Sequence, residues 1–202
     1  MSAVSVEIED LGRAPYLPVL AAMRTLHAAV HRGESPGRVL LVEHEPVYTA
    51  GRATPPAELG GEVVPIERGG KVTYHGPGQL TVYPIVPLPR RDLRDWLRRC
   101  EAFGVAVAAA LDVAAEPSVD GTGVFAAGRK FASIGVAVKH WINLHGIAIN
   151  VAIFAPPPDW PNTVTHEGSP PKLAMLSRTH SRARMRSSCP ALPLSGKPCA
   201  AR

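Results

Sequence analysis

The stretch Arg68-Gly-Gly-Lys-Val-Thr-Tyr-His-Gly-Pro-Gly-Gln79 sets an arginine, a lysine and a histidine among four glycines. Glycine permits backbone conformations and close approaches that a Cβ forbids, at an entropic cost. A surface turn has no need of four around one histidine, so the pattern points to something that lies against this backbone within reach of His75. Taken singly, the residues say less: His75 is a polar residue near a turn, Arg68 a surface charge and Lys130 a solvated amine at a strand start. The thiols are Cys100, Cys189 and Cys199, an odd number without regular spacing, which does not suggest a disulfide framework. No Cys-x-x-Cys pair is present and no metal is expected.

The elements that must position these groups can be read from pattern. Tyr16, Leu20, Met23, His27 and Val30 recur at helical spacing after Pro15, and Gly33, Pro36 and Gly37 end that helix. Val39 to Val42 is a short apolar run, read as a buried strand, and Glu43 to Arg52 is read as a loop leaving it. Residues 53–62, with Pro55 and Pro56, should cross the surface. Strand signals resume at Val63–Ile66, Val72–Tyr74 and Leu80–Ile85. Asp92 is a plausible N-cap for a second helix, whose stripe of Leu93, Trp96, Leu97, Cys100 and Phe103 makes Cys100 a buried structural thiol.

Two further strands each have an aliphatic and a small-residue face. Ile134, Val136 and Val138 oppose Ser133, Gly135 and Ala137, and Ile147, Ile149 and Val151 oppose Gly146, Ala148 and Asn150. The small faces either receive a closely packed helix or leave room for an acyl chain or other ligand.

At 202 residues the chain can form one domain with a full core, with or without a tail. No window approaches the roughly 18 unbroken apolar residues of a membrane span, and the acidic N-terminus lacks the pattern of a signal peptide. A cytoplasmic location without membrane association is expected. Residues 1–153 carry 15 Lys+Arg against 15 Asp+Glu, while 154–202 carry 7 against 2, so the net charge of +5 resides in the last segment. A neutral body is not the footprint of a nucleic-acid-binding fold. The segment 154–202 holds nine of the 21 prolines, many Ser and Arg, and no useful periodicity, which reads as a disordered extension.

Four segments in order resemble the octanoyltransferases of lipoate biosynthesis. They are Glu43 to Arg52, Arg68 to Gln79, Gly128-Arg-Lys-Phe-Ala-Ser-Ile-Gly135 and His145-Gly-Ile-Ala-Ile-Asn-Val151. The resemblance implies a mixed α/β (α+β) sheet covered by helices, of the biotin/lipoate ligase catalytic-domain type, over residues 1–153. It implies octanoyl transfer from octanoyl-acyl carrier protein to a lysine of lipoyl domains, in 2-oxoacid dehydrogenases and the glycine cleavage H protein, without a cofactor. Substrate contacts are implied at Arg68, Gly69, Gly70, Lys71, Val72, Thr73, Tyr74 and His75. Further contacts are implied at Ser133, Ile134 and Gly135, and at Gly146, Ile147 and Ala148, with His145 similarly placed. Lys130 is the implied catalytic lysine, its ammonium lowering the pKa of a nucleophilic cysteine. Simple alternation puts Lys130 on Ile134's face, so a bulge or loop would have to re-aim it.

The family carries that cysteine in a Pro-Cys-Gly turn about fourteen residues beyond the second strand, and here Asn162 to His166 contains none. Cys189 in Ser-Ser-Cys-Pro and Cys199 in Lys-Pro-Cys-Ala lack the motif. Resemblance and composition both change near Ala152, which points to a reading-frame shift or a chimeric gene. Little or no transfer is expected of the chain as written. The alternatives are an ATP-dependent lipoate or biotin ligase, which needs no enzyme cysteine, and a non-catalytic binder of acyl carrier protein or lipoyl domains.

Overall fold

The computed structural model describes residues 6–55 and 63–152. The expected extension 154–202, with Cys189 and Cys199, and most of the expected surface crossing before Val63 lie outside the described residues.

Among the described residues, ten strands and two helices follow in the order β1 (Glu7–Ala14), α1 (Tyr16–His31), β2 (Arg38–His44), β3 (Val47–Ala50), β4 (Val63–Pro65), β5 (Val72–His75), β6 (Gln79–Ile85), α2 (Leu93–Ala110), β7 (Glu116–Pro117), β8 (Val124–Ala126), β9 (Arg129–Lys139) and β10 (Ile142–Asn150). A seven-stranded sheet has the order β1-β2-β6-β10-β9-β8-β7, and a small sheet the order β4-β3-β5. The β1–β2 and β3–β4 pairs are parallel and the rest antiparallel, so the α/β (α+β) mixed sheet expected from the sequence is present.

The helices cover opposite faces of the large sheet. From α1, Tyr16, Val19, Leu20 and Met23 pack with Leu40, Val42, Tyr83, Ile85 and Leu144, and Ile66 beside the small sheet joins them. On the other face Ala108 of α2 meets Val82, Val124, Ile147 and Ile149, while Trp96 and Cys100 meet Leu88 and Val136. The Asp92 carboxylate caps α2 by accepting from the backbone N–H groups of Arg94 and Asp95. Cys100 is 6% exposed, and burial pushes its thiol up to about 11.

Four elements, β1, β3, β7 and β8, depart from the sequence reading. β1 has no hydrophobic period; it is a polar edge strand whose Glu7 and Glu9 pair with Arg38 and whose Arg13 pairs with Glu43. Cross-strand charge pairs are invisible to a search for apolar alternation. The segment 43–52, read as a loop, continues β2 through His44 and then forms β3, because Val47–Ala50 finds partners in β4 and β5 that lie far along the chain. β7 and β8 are strands of two and three residues, too short for any pattern to register.

Candidate functional site

The Arg68–Lys71 segment is wrapped around its own guanidinium. Arg68 is 6% exposed. Its two terminal nitrogens donate to the carbonyls of Gly69, Lys71 and Thr49 and to Thr49 Oγ1, all at 2.9 Å. Gly51 lies so close to the Gly69 and Gly70 carbonyls that a Cβ there would collide with both. Arg68 therefore shapes the loop from inside rather than standing on the surface.

The loop rests on the small face of β9. Gly69 N donates to the Val136 carbonyl at 3.1 Å, and a Cβ at Gly135 would come within 2.8 Å of Arg68 Cδ. Gly135 pairs with Gly146 and Ser133 with Ala148, so four of the expected contact residues share that face. The backbone loop, rather than a helix, lies over Gly135. Ile134 and Ile147 pair on the opposite face and pack in the α2 cluster, so their side chains turn away from Arg68. Val72, Thr73 and Tyr74 lie in β5 opposite Ala50, Thr49 and Tyr48 of β3, and Lys71 is exposed.

His75 ends β5, 6% exposed. Its ring stacks on Tyr16 at 5.9 Å and meets His44 edge-on at 5.9 Å. Nδ1 is 2.6 Å from Gln79 Oε1 and Nε2 is 3.3 Å from Thr49 Oγ1. Gln79 Nε2 donates to Asn150 Oδ1 at 3.0 Å, and Asn150 Nδ2 donates to the Lys130 carbonyl at 3.2 Å. Burial holds the His75 ring down at about 3, so it is neutral at pH 7.

Lys130 lies where the β8–β9 register shifts: Val124 pairs with Ala132 but Phe125 with Lys130. The extra residue is Phe131, and Phe131 and Ala132 both bury in the α2-side cluster. Such a bulge inverts alternation on one side of it, so Lys130 moves to Ser133's face. Its Nζ lies 5.4 Å from the Phe125 ring centroid. The re-aiming that alternation required is thus built into the strand.

His145 has φ +65° within β10 and is 1% exposed. Its Nε2 is 3.5 Å from the Glu67 carboxylate, and neither ring nitrogen has a hydrogen-bond partner among the described residues. Burial draws the ring down to about 4 against the pull of Glu67. Glu67 is itself held at about 2, chiefly by its hydrogen bonds from Arg24.

Several residues of this neighbourhood escaped the sequence reading. His44 donates from Nδ1 to the Ala14 carbonyl and accepts at Nε2 from the Tyr83 hydroxyl at 2.9 Å. Thr49, Gln79 and Asn150 were visible only as members of motifs. His27 and His31 stand one turn apart on α1, a metal-site spacing that an argument from cysteines overlooks, and His140 stacks on His31 at 3.9 Å. Parallel stacked rings do not aim their lone pairs at one point, and among the described residues no group of three His, Cys, Asp or Glu is arranged to hold a metal ion. Nor is any helix among them long and apolar enough to cross a membrane. Cys100, the one cysteine among the described residues, lies across the sheet from Arg68.

Residues 15–156 match the lipoyl protein ligase A/B catalytic domain. The chain is 46% identical over 149 residues to an octanoyltransferase of Geobacter metallireducens, spanning 71% of this chain and 70% of the relative. An octanoyltransferase of Syntrophotalea carbinolica is 42% identical over 153 residues, spanning 73% and 72%. Among solved structures, one of a bipartite lipoate protein ligase and its E2 lipoyl domain from Thermoplasma acidophilum aligns with a TM-score of 0.56 at 16% identity, over 72% of this chain and 62% of that one. At that identity the likeness concerns the fold.

Proposed function

The chain belongs to the lipoyl protein ligase A/B catalytic-domain family, and we propose that its site is built for octanoyl transfer from acyl carrier protein to the lysine of a lipoyl domain. By resemblance it is an acyltransferase of the octanoyltransferase kind. The observation that carries the reading is the seat of the Arg68–Gly69 loop on Gly135, with His75 and Lys130 joined to it by one run of hydrogen bonds. The half-buried Ser133, next to the Gly135 on which the Arg68 loop sits, offers the acyl chain a small-residue wall beside that loop.

In the full reaction a thiolate, stabilised by the Lys130 ammonium, attacks the octanoyl thioester and releases the carrier thiol, which takes up the proton. The lipoyl-domain amine then attacks the enzyme thioester, forms the amide and returns the thiol. This chain has no Pro-Cys-Gly to supply that thiolate, and Cys100 is on the wrong face with its thiol pushed up to about 11. The missing thiol favours a second reading, in which the chain binds octanoyl carriers or lipoyl domains without turnover. The family match ends at residue 156, near the change in composition, so a reading-frame shift downstream of codon 150 accounts for both. A Pro-Cys-Gly encoded in another frame would support it; its absence from every frame would count against it. ATP-dependent ligation draws on the breadth of the ligase A/B family and on fold likeness, whereas the relatives at 46% and 42% identity are octanoyltransferases.

The site itself is tested by calorimetric titration with octanoyl-acyl carrier protein. Ser133→Phe, which fills the small face, should weaken binding at least tenfold, and unchanged affinity would defeat the reading.

A further inference from the structure

The hydrogen bonds around His75 all run in one direction. Arg68 can only donate, and it gives an N–H to Thr49 Oγ1. That oxygen has one proton, for which the Thr73 carbonyl at 3.5 Å and His75 Nε2 at 3.3 Å compete, so the direction at Nε2 is set from the other side of the ring. At the far end the Lys130 carbonyl can only accept, which requires the amide nitrogen of Asn150 to face it. Asn150 Oδ1 then accepts from Gln79 Nε2, a nitrogen that also donates to the Tyr74 carbonyl at 3.3 Å. Gln79 is left presenting Oε1 to His75 Nδ1, so Nδ1 must carry the hydrogen. Flipping any one amide would force its neighbour to flip and end with oxygen against the Lys130 carbonyl oxygen. The acceptor-only Lys130 and Tyr74 carbonyls fix both amides, and with Nδ1 carrying the hydrogen the unprotonated Nε2 accepts from the Thr49 hydroxyl.

We propose that Thr49, Gln79 and Asn150 are positioning residues that hold His75 as the neutral Nδ1–H tautomer and tie its ring to the backbone of Lys130. The Nε2 lone pair is thereby kept on the Thr49 side, where it accepts from the Thr49 hydroxyl. Ring contacts with Tyr16 and His44 fix the plane in which that lone pair lies. The same chain holds the Lys130 carbonyl where the bulge displaces it, so the strand carrying the amine and the ring share one reference. The value of this arrangement for transfer rests on the reading of His75 as a substrate-site residue; the tautomer does not.

The test is long-range ¹H–¹⁵N correlation at pH 7 on the full chain labelled at histidine, with His75 identified by the loss of its signals in His75→Gln. The expected pattern is that of a ring protonated at Nδ1 alone. Protonation at Nε2, or an average of both forms, would overturn the proposal. Asn150→Asp keeps the acceptor for Gln79 Nε2 and should keep the pattern while losing the tie to the Lys130 carbonyl, whereas Asn150→Leu removes both and should lose the pattern to a mixture. A pattern unchanged in Asn150→Leu would reduce Asn150 to a structural role and overturn the proposal as well. If that variant does not fold, the parent spectrum and Asn150→Asp still decide. Titrating the parent with sodium octanoate separates the two claims: an Nδ1–H ring whose signals ignore octanoate would remove the substrate-site reading and leave the relay standing.

Discussion

Arg68 is a buried cation whose hydrogen bonds go to neutral oxygens at Gly69, Lys71 and Thr49. The planar fork is what allows one side chain to gather three carbonyls and a hydroxyl, and a lysine cannot reproduce it. Arg68→Lys should therefore destabilise the chain by about 2–4 kcal/mol, measured by urea unfolding; a loss below about 0.5 kcal/mol would show that the loop holds itself. The buried histidines carry a pH dependence. His75 and His145 are held at about 3 and about 4 by burial, against an ordinary value of 6.5. Both bind a proton on unfolding between those limits, so stability is full above pH 6.5 and falls as the pH drops. For two such rings the loss from pH 7 to pH 5 comes to about 3–4 kcal/mol. Glu67, held at about 2, adds its own loss only below its ordinary 4.5. Unfolding free energies equal at pH 7 and pH 5 would contradict the neutral-ring assignment.

Among the elements, the long periodic ones were legible and the partnered ones were not. The stripes of α1 and α2, the Asp92 cap and the two faces of β9 and β10 follow from spacing alone, because burial on one side writes itself into the residue order. β1 and β3 are held by charge pairs and by strands distant in sequence, and neither leaves a local trace. At the site the motifs marked Arg68, His75 and Lys130, but the Phe131 bulge that re-aims Lys130 is a property of pairing with β8. The same holds for Asn143, which joins three elements while fully buried. It accepts from Trp96 Nε1 at 2.9 Å, and its amide donates to the Pro84 and His145 carbonyls at 2.7 and 2.9 Å. Asn143→Ala leaves these groups unpaired and should cost about 2–4 kcal/mol, with loss of the near-ultraviolet signal of Trp96. A thermal melt within a degree of the parent would show that water replaces the amide at no cost.

For the whole molecule, the described residues carry the buried Arg68–His75 cluster on one side of the large sheet and the buried Cys100 thiol on the other. The family match and the octanoyltransferase relatives place the chain in that family, while the chain has no Pro-Cys-Gly, the motif on which the proposed acyl-enzyme depends. Native alkylation should accordingly leave Cys100 unmodified until the chain unfolds, and its modification under native conditions would show that the α2 face opens. The most direct measurement is intact mass spectrometry of the purified 202-residue chain after incubation with octanoyl-acyl carrier protein. The account predicts the unmodified mass; a hydroxylamine-labile octanoyl adduct would contradict it.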